Sequence, residues 1–164
     1  MSLTKKSVLA AVLAAAAVFV SVAAADHGGR SEHRHGNHAL LQQSVVGSIL
    51  SDPPIHGVTR GGVPWEGKGT ATLERRGRFE FRIRNLVIQG TGSAGPVTTI
   101  KVSLFCAPDA SGPVFTTGSE PLSHDGDAEF KQHVTVPARC LAPAVLVHPN
   151  GNTAAYIAAT GFTS

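Results

Sequence analysis

The feature that most constrains the fold is a stretch in which apolar and charged residues alternate at every position. In residues 78–84, the apolar side chains of Phe79, Phe81 and Ile83 are separated by charged ones. A period of two residues is typical of a β-strand with one buried and one solvated face, whereas a helix needs a period of about 3.6. We therefore expect an antiparallel sheet that packs one face against a core.

Other short strand candidates recur roughly every 10 to 15 residues, with turn residues between them. The 164-residue chain has 18 Gly and 10 Pro, and only 15% of its residues are charged. The predicted strands cover residues 44–50, 68–74, 78–88, 97–106, 114–119, 127–136, 144–148 and 153–160. This pattern predicts an all-β domain at 44–164, an immunoglobulin-like antiparallel β-sandwich of about 7–8 strands, with a small β-barrel as the alternative.

Two connections have the composition of tight turns. Arg75-Arg76-Gly77 is short enough to join two strands as a hairpin, and Asn150-Gly151 is a pair that suits a hairpin turn. Both are expected to bring consecutive strands side by side.

Residues 1–25 have the composition of a signal peptide. Lys5 and Lys6 precede an unbroken apolar run at 8–20, and small residues follow, so cleavage is expected after Ala24 or Ala25. An uncleaved anchor is the alternative, because residues 8–25 approach the length of a short membrane span, but no basic stop-transfer cluster follows. We expect a secreted, extracellular protein without a transmembrane anchor after cleavage.

The two cysteines, Cys106 and Cys140, are best explained as one disulfide bond. An even pair in an exported chain most simply forms a structural bridge, and the C-x-x-C spacing typical of catalytic thiols is absent. The bridge would close a loop of about 34 residues, which the chain-entropy model values at about 4 kcal/mol.

Residues 26–43 are expected to form a disordered, His-rich tail that precedes the folded domain. The four histidines His27, His33, His35 and His38 lie here, and few large apolar residues accompany them. A solvated linker is one interpretation, and a Cu, Ni or Zn site on the tail is the other. Cleavage after Ala24 would place His27 third from a free amine, an arrangement that gives a square-planar nitrogen set for Cu(II) or Ni(II).

The strand at 78–88 also carries the densest positive charge, on Arg78, Arg82 and Arg84. This face either is a solvated outer surface or contacts an anionic glycan or another cell-envelope component. Nucleic acid is not expected as a partner, because no aromatic residue is interleaved on that face. Once Lys5 and Lys6 leave with the signal peptide, the remaining Lys and Arg residues exceed the 11 Asp and Glu residues by only one.

Trp65 is the second candidate for surface binding. It follows a Gly- and Pro-containing segment at 61–64, so it lies in or beside a loop. It is either an exposed anchor for sugar or protein, or an indole that closes the end of the core.

No motif supports catalysis. The glycines of residues 90–95 match G-x-G-x-x-G, but Pro96 and a β-branched run follow instead of the helix that nucleotide binding requires. Ser123, His124 and Asp125 are adjacent in a stretch with turn composition, whereas a catalytic triad is assembled in three dimensions. We therefore expect a protein that is not an enzyme and needs no cofactor.

Four segments resemble a group of uncharacterised small secreted proteins from high-GC Gram-positive bacteria. They are GGVPW at 61–65, RRGRFEFRIRNLVI at 75–88, PLSHDGDAEF at 121–130 and CLAPAVLVHPNG at 140–151. The resemblance implies export and a common fold, and it transfers no activity and no binding residues. The leading hypothesis is a secreted or envelope-associated, non-enzymatic module that binds an unknown ligand or has a structural role. The alternative is an extracellular metal-binding protein that acts through its tail.

Overall fold

The computed structural model describes residues 39–106, 112–161 and 163, and the regular elements within these ranges are all β-strands. The all-β prediction is therefore confirmed. The strands are β1 (Ala39–Gly47), β2 (Thr59–Arg60), β3 (Trp65–Glu74), β4 (Arg78–Ile88), β5 (Thr99–Phe105), β6 (Phe115–Thr116), β7 (Glu120–Pro121), β8 (Ala128–His133), β9 (Ala144–Pro149), β10 (Ala155–Tyr156) and β11 (Ala158–Thr160).

Nine of these strands form one antiparallel sheet, in the order β6-β5-β9-β11-β1-β3-β4-β8, with β7 next to β6 on the free edge of β5. The sheet is curled, and side chains link its two edges, β7 on one side and β8 on the other. Gly118 donates its N–H to the Gln132 side chain of β8 over 3.2 Å, and Gln132 in turn donates to Glu120 of β7. This arrangement fits a sandwich or a half-barrel, and the eight strands of the main path agree with the predicted 7–8, whereas β7 and the short pair β2 and β10 were not predicted as separate strands.

The concave side of the sheet holds the main core. Phe79, Phe81 and Ile83 of β4 are at most 1% exposed, as their alternation predicts. The ring centroids of Phe81 and Phe130 lie 5.4 Å apart, and Phe79 meets Phe115 edge-on at 5.0 Å. Aromatic contacts therefore join strands from the two edges of the curled sheet across its interior.

A second, smaller core lies on the opposite side of β5, β9 and β11. There Phe105, Leu146 and Ala159 are covered by Val58 and Tyr156 from the loop after β1 and from β10. The short strands β2 and β10 pair with each other in parallel and form this cover. The outer side of β5, β9 and β11 thus has a second layer, whereas the outer side of β3, β4 and β8 is open to solvent.

The predicted disordered tail at 26–43 is wrong at its C-terminal end, because β1 begins at Ala39. Gln42 and Gln43 pair with Thr72 and Ala71 of β3, and Leu41 is buried. The two glutamines interrupt the apolar alternation, so the sequence pattern did not indicate a strand there. Backbone pairing with β3 stabilises these positions whatever their side chains. Residues 26–38 lie outside the described residues.

Both predicted turns are present, and β3 pairs with β4 across the first. The strand that pairs with β9 after the second is β11, whereas the intervening β10 pairs with β2. Asn150 and Gly151 both have positive φ, 46° and 76°, and Asn152 donates its N–H to the Pro149 carbonyl over 2.8 Å. This is the geometry of a type I′ turn, which favours the Asn-Gly pair. The hairpin between β3 and β4 turns at Gly77, whose φ of 84° is readily adopted only by glycine.

The predicted disulfide between Cys106 and Cys140 is present, with Cα atoms 4.9 Å apart. Cys106 follows β5, and Cys140 lies in residues 134–143, the crossover segment that connects β8 to β9. Val134 and Val136 of the crossover segment pack against the main core. The bond therefore fastens this segment across one end of the curled sheet.

Replacing both cysteines by alanine should lower the free energy of unfolding by about 4 kcal/mol, because the unfolded chain regains the freedom of a 34-residue separation. Urea denaturation of the oxidised protein and the double variant measures this difference. The reduced wild-type protein is the matched control and should unfold at nearly the same urea concentration as the variant. Identical midpoints for oxidised wild type and variant would contradict the assigned role.

Candidate binding face and buried histidine network

Trp65 lies inside the protein, so its interpretation as an exposed anchor is wrong. Its side chain is 4% exposed and belongs to the main core. The backbone of Trp65 pairs with Ile88 of β4 and donates its N–H to Ser48, which makes it the first residue of β3 rather than part of a loop. Its side chain follows the inward phase of the strand, and the alternative, that it closes one end of the core, is confirmed.

The three predicted arginines lie together on the outer face of β4, and each is exposed. Arg82 contacts Glu129 of β8 at 2.7 Å, and Arg84 reaches the other oxygen of the same carboxylate at 3.1 Å. Arg78 pairs with Glu80 on its own strand at 2.6 Å. Acidic side chains of β4 and β8 therefore neutralise part of the positive charge that the sequence places on this face.

Glu129 is held in its charged form by this arrangement. The hydrogen bond from Arg82, together with the charges of Arg82 and Arg84, lowers the pKa of Glu129, and the same hydrogen bond raises the pKa of Arg82. Both side chains are exposed, so the ion pair is screened by salt and contributes little to stability. It fixes the orientation of the guanidinium groups on the face.

On the β3 side of the arginines, the face has an excess of positive charge. Lys68 lies directly opposite Arg84 in the ladder between β3 and β4, and Thr70 lies opposite Arg82. These four side chains surround Gly69 and form a shallow hollow of about 270 Å³. Like charges directly opposite each other destabilise a sheet, and a bound anion would relieve their repulsion.

Sequence reasoning missed Lys68 because its partner is set by a β-bulge. The register shifts between Glu66 and Lys68, at Gly67. The extra residue lies in β4, where Asn85 and Leu86 are both opposite Gly67, and Asn85 has a positive φ of 53°. Without it, the pairing of the preceding positions would place Lys68 opposite Asn85 instead of Arg84. The glycine in the strand is a weak sign of a bulge, but the direction of the shift cannot be read from it.

A buried polar network lies under the cover formed by β2 and β10. His148 of β9 is fully buried, and its Nδ1 lies 2.8 Å from the carbonyl oxygen of Ala155. Its Nε2 lies 2.9 Å from Ser103 Oγ of β5, which is 2.8 Å from Thr116 Oγ1 of β6. The network thus connects four strands through side chains.

The proton positions in this network follow from its acceptors. A carbonyl oxygen can only accept, so Nδ1 of His148 carries the proton and Nε2 accepts one from the Ser103 hydroxyl. Ser103 is then free to accept a hydrogen bond from Thr116. Burial lowers the pKa of His148, and the nearby charge of Lys101 acts in the same direction, against the carbonyl of Ala155, which raises it. The fold therefore prefers the neutral imidazole.

A hydroxyl bonded to a histidine is also the arrangement that activates a serine nucleophile. Here Ser103 is 1% exposed, and its hydroxyl is already hydrogen-bonded to both His148 and Thr116. A cavity of about 300 Å³ lies beside it, and His56, stacked on Phe105, forms part of the cavity wall. We interpret the network as structural: its hydrogen bond to Ala155 holds β10 against the sheet. Sequence reasoning missed it because Ser103 and His148 are 45 residues apart.

The predicted metal ligands His27, His33, His35 and His38 lie outside the described residues, so the tail as a metal site stays a prediction. Within residues 39–106 and 112–161, no group of three or more His, Cys, Asp or Glu residues is arranged to hold a metal ion. The described part of the chain also contains no helix long and apolar enough to cross a membrane.

Comparison with known proteins identifies no relative: no protein family, curated protein or solved structure matches the chain.

The buried neutral His148 should make the fold less stable in acid. Its pKa is lowered on folding, so below the usual value of about 6.5 the unfolded chain takes up the proton first, and stability falls as pH drops toward the folded pKa. Denaturant unfolding at pH 8 and pH 5 measures the loss. H148Q should lose less stability between these two pH values than wild type, although it is less stable at pH 8.

H124Q is the matched control, because His124 is exposed beside Asp125. This variant should keep the wild-type loss of stability in acid. If H148Q loses as much stability as wild type between pH 8 and pH 5, the acid sensitivity does not come from the network.

Proposed function

We propose that the mature chain is a secreted, non-enzymatic module that binds anionic groups on the outer face of β3 and β4. The groups are sulfate, phosphate or carboxylate, of the kind carried by extracellular and cell-envelope polymers. The observation that carries the proposal is the cross-strand pair of Lys68 and Arg84, whose like charges face each other on an exposed surface.

The chemistry around the pair favours an anion over a neutral ligand. Arg82 and Arg84 are planar donors that can contact two oxygens of one anionic group, and the Thr70 hydroxyl can donate a further hydrogen bond. Arg84 is already engaged, because its Nη1 donates to the Ile83 carbonyl over 3.4 Å and its Nε lies 3.9 Å from Asp127. Glu129 holds Nη2 of both guanidinium groups, so an anion at the hollow would depend mainly on Lys68, Thr70 and the other nitrogens of Arg82. The same carboxylate limits the total positive charge, which favours specific contacts over general attraction to polyanions.

The shape of the site favours a polymer over a small enclosed molecule. The hollow is shallow and lies on the solvated face of the sheet, where a single anionic group would be only partly covered. Small-molecule sites are usually concave and bury most of their ligand. A repeating anionic chain can instead present neighbouring anionic groups to the same hollow, which raises their effective concentration there.

Export is supported by the leader-like composition of residues 1–25 and by the disulfide, which is consistent with an oxidising compartment. The immunoglobulin-like strand order stays a prediction, as does the resemblance to secreted proteins of Gram-positive bacteria. Both agree with a small extracellular binding module.

The proposal is tested by the binding of dextran sulfate to the mature protein, with neutral dextran as the reference polymer. K68Q and R84Q should each weaken binding by about two- to fivefold, the size of an exposed charge contact. K68E should weaken it further and also raise the unfolding midpoint slightly, because it replaces the repulsion of Arg84 by attraction. Calorimetric titration at two salt concentrations measures affinity and its electrostatic part.

R139Q is the matched control, because Arg139 is an exposed arginine in the crossover segment and does not line the hollow formed by Lys68, Thr70, Arg82 and Arg84. It should leave the affinity unchanged. Equal weakening by R139Q and R84Q would mean that dextran sulfate responds only to net charge, and this result would overturn the proposed site. Undiminished binding by K68E would also overturn it.

A further inference from the structure

A pocket of about 170 Å³ opens at the end of the curled sheet that the disulfide fastens. It lies between the crossover segment and three buried leucines, which come from the start of β1 and the ends of β3 and β5. These are Leu41, Leu73 and Leu104, exposed by 7%, 2% and 1%. This crossover pocket is on a different part of the molecule from Lys68 and Arg84.

The walls of the crossover pocket are mainly aliphatic. Val136 and Pro143 of the crossover segment face the leucines, and Leu40 at the rim is 43% exposed. For scale, an apolar cavity of about 150 Å³ is large enough for a benzene molecule. The pocket therefore fits a short length of hydrocarbon.

Among the described residues at this end of the sheet, arginines outnumber the single glutamate, Glu74, which pairs with Ala39. The Arg139 side chain lines it and is exposed to solvent. The hairpin that carries Arg75 and Arg76 lies at the same end, because the Gly77 carbonyl accepts a 2.8 Å hydrogen bond from the Val134 N–H of the crossover segment. An apolar chain bound here would have its polar end near a guanidinium group.

We propose that the crossover pocket binds the aliphatic chain of an anionic amphiphile and that Arg139 binds its carboxylate. Apolar walls select the chain, and the guanidinium at the mouth selects the charge of the head group. Leu141, which follows the lining residue Cys140, is 52% exposed. In this proposal it contacts the part of a longer chain that the pocket does not hold.

The test is calorimetric titration of the oxidised mature protein with hexanoate, octanoate and decanoate below their aggregation concentrations. Affinity should rise by about fourfold for each methylene that enters the pocket, and the increase should stop when the pocket is full. R139Q should weaken decanoate binding by about tenfold or more, because the carboxylate loses a charged hydrogen-bond partner. Decanol should bind R139Q and wild type equally.

A138W provides the second variant, because Ala138 is an exposed lining residue and a bulky side chain there should fill the pocket. It should abolish decanoate binding while the unfolding midpoint stays near that of wild type. R84Q is the matched control and should bind decanoate normally, so failure of this site is distinguishable from failure of the sheet-face site.

Decanoate affinity that is unchanged in both R139Q and A138W would overturn the proposal, as would loss of binding in R84Q. Sedimentation of the ligand-free protein gives an independent check. A dimer that A138W dissociates would assign the pocket to a second copy of the chain and would also overturn the proposal.

Discussion

The two-residue alternation of β4 determines what each side of the sheet can do. It directs Phe79 and Phe81 into the curled interior, where their rings meet those of β6 and β8, and it leaves Arg82 and Arg84 in solvent. A shift of the strand by one residue would exchange these sets and bury the arginines, which the core could not tolerate. The core thus fixes the register, and the register fixes the charged face.

The parts of the fold that were predictable are those set by local chemistry. The alternation of Phe79 to Ile83, the turn at Asn150-Gly151 and the bond between Cys106 and Cys140 each follow from residue types close in sequence or from a single pair. The extent of β1 was not predictable, because Gln42 and Gln43 are held by backbone pairing. A neighbouring strand supplies that pairing, and the segment itself carries no sign of it.

The candidate sites were less predictable, because each depends on register or on distant contacts. Lys68 meets Arg84 only because of the β4 bulge opposite Gly67, and His148 meets Ser103 across 45 residues. Trp65 was ambiguous because a Gly- and Pro-containing segment precedes it, although its own backbone belongs to the ladder. The structure also shows that the two open ends of the curled sheet differ. The indole of Trp65 closes one end, and the crossover segment leaves a pocket at the other.

The position of β1 has a consequence for how the chain acquires its structure. β1 lies between β3 and β11, so the middle of the sheet joins the first described strand to the last one. Such distant pairing makes folding slow, because a large loop must close before the contacts form. Until β11 is available, β1 and β9 lack the strand that lies between them, and the sheet is incomplete. In a secreted protein, this topology would couple folding to the completion of export.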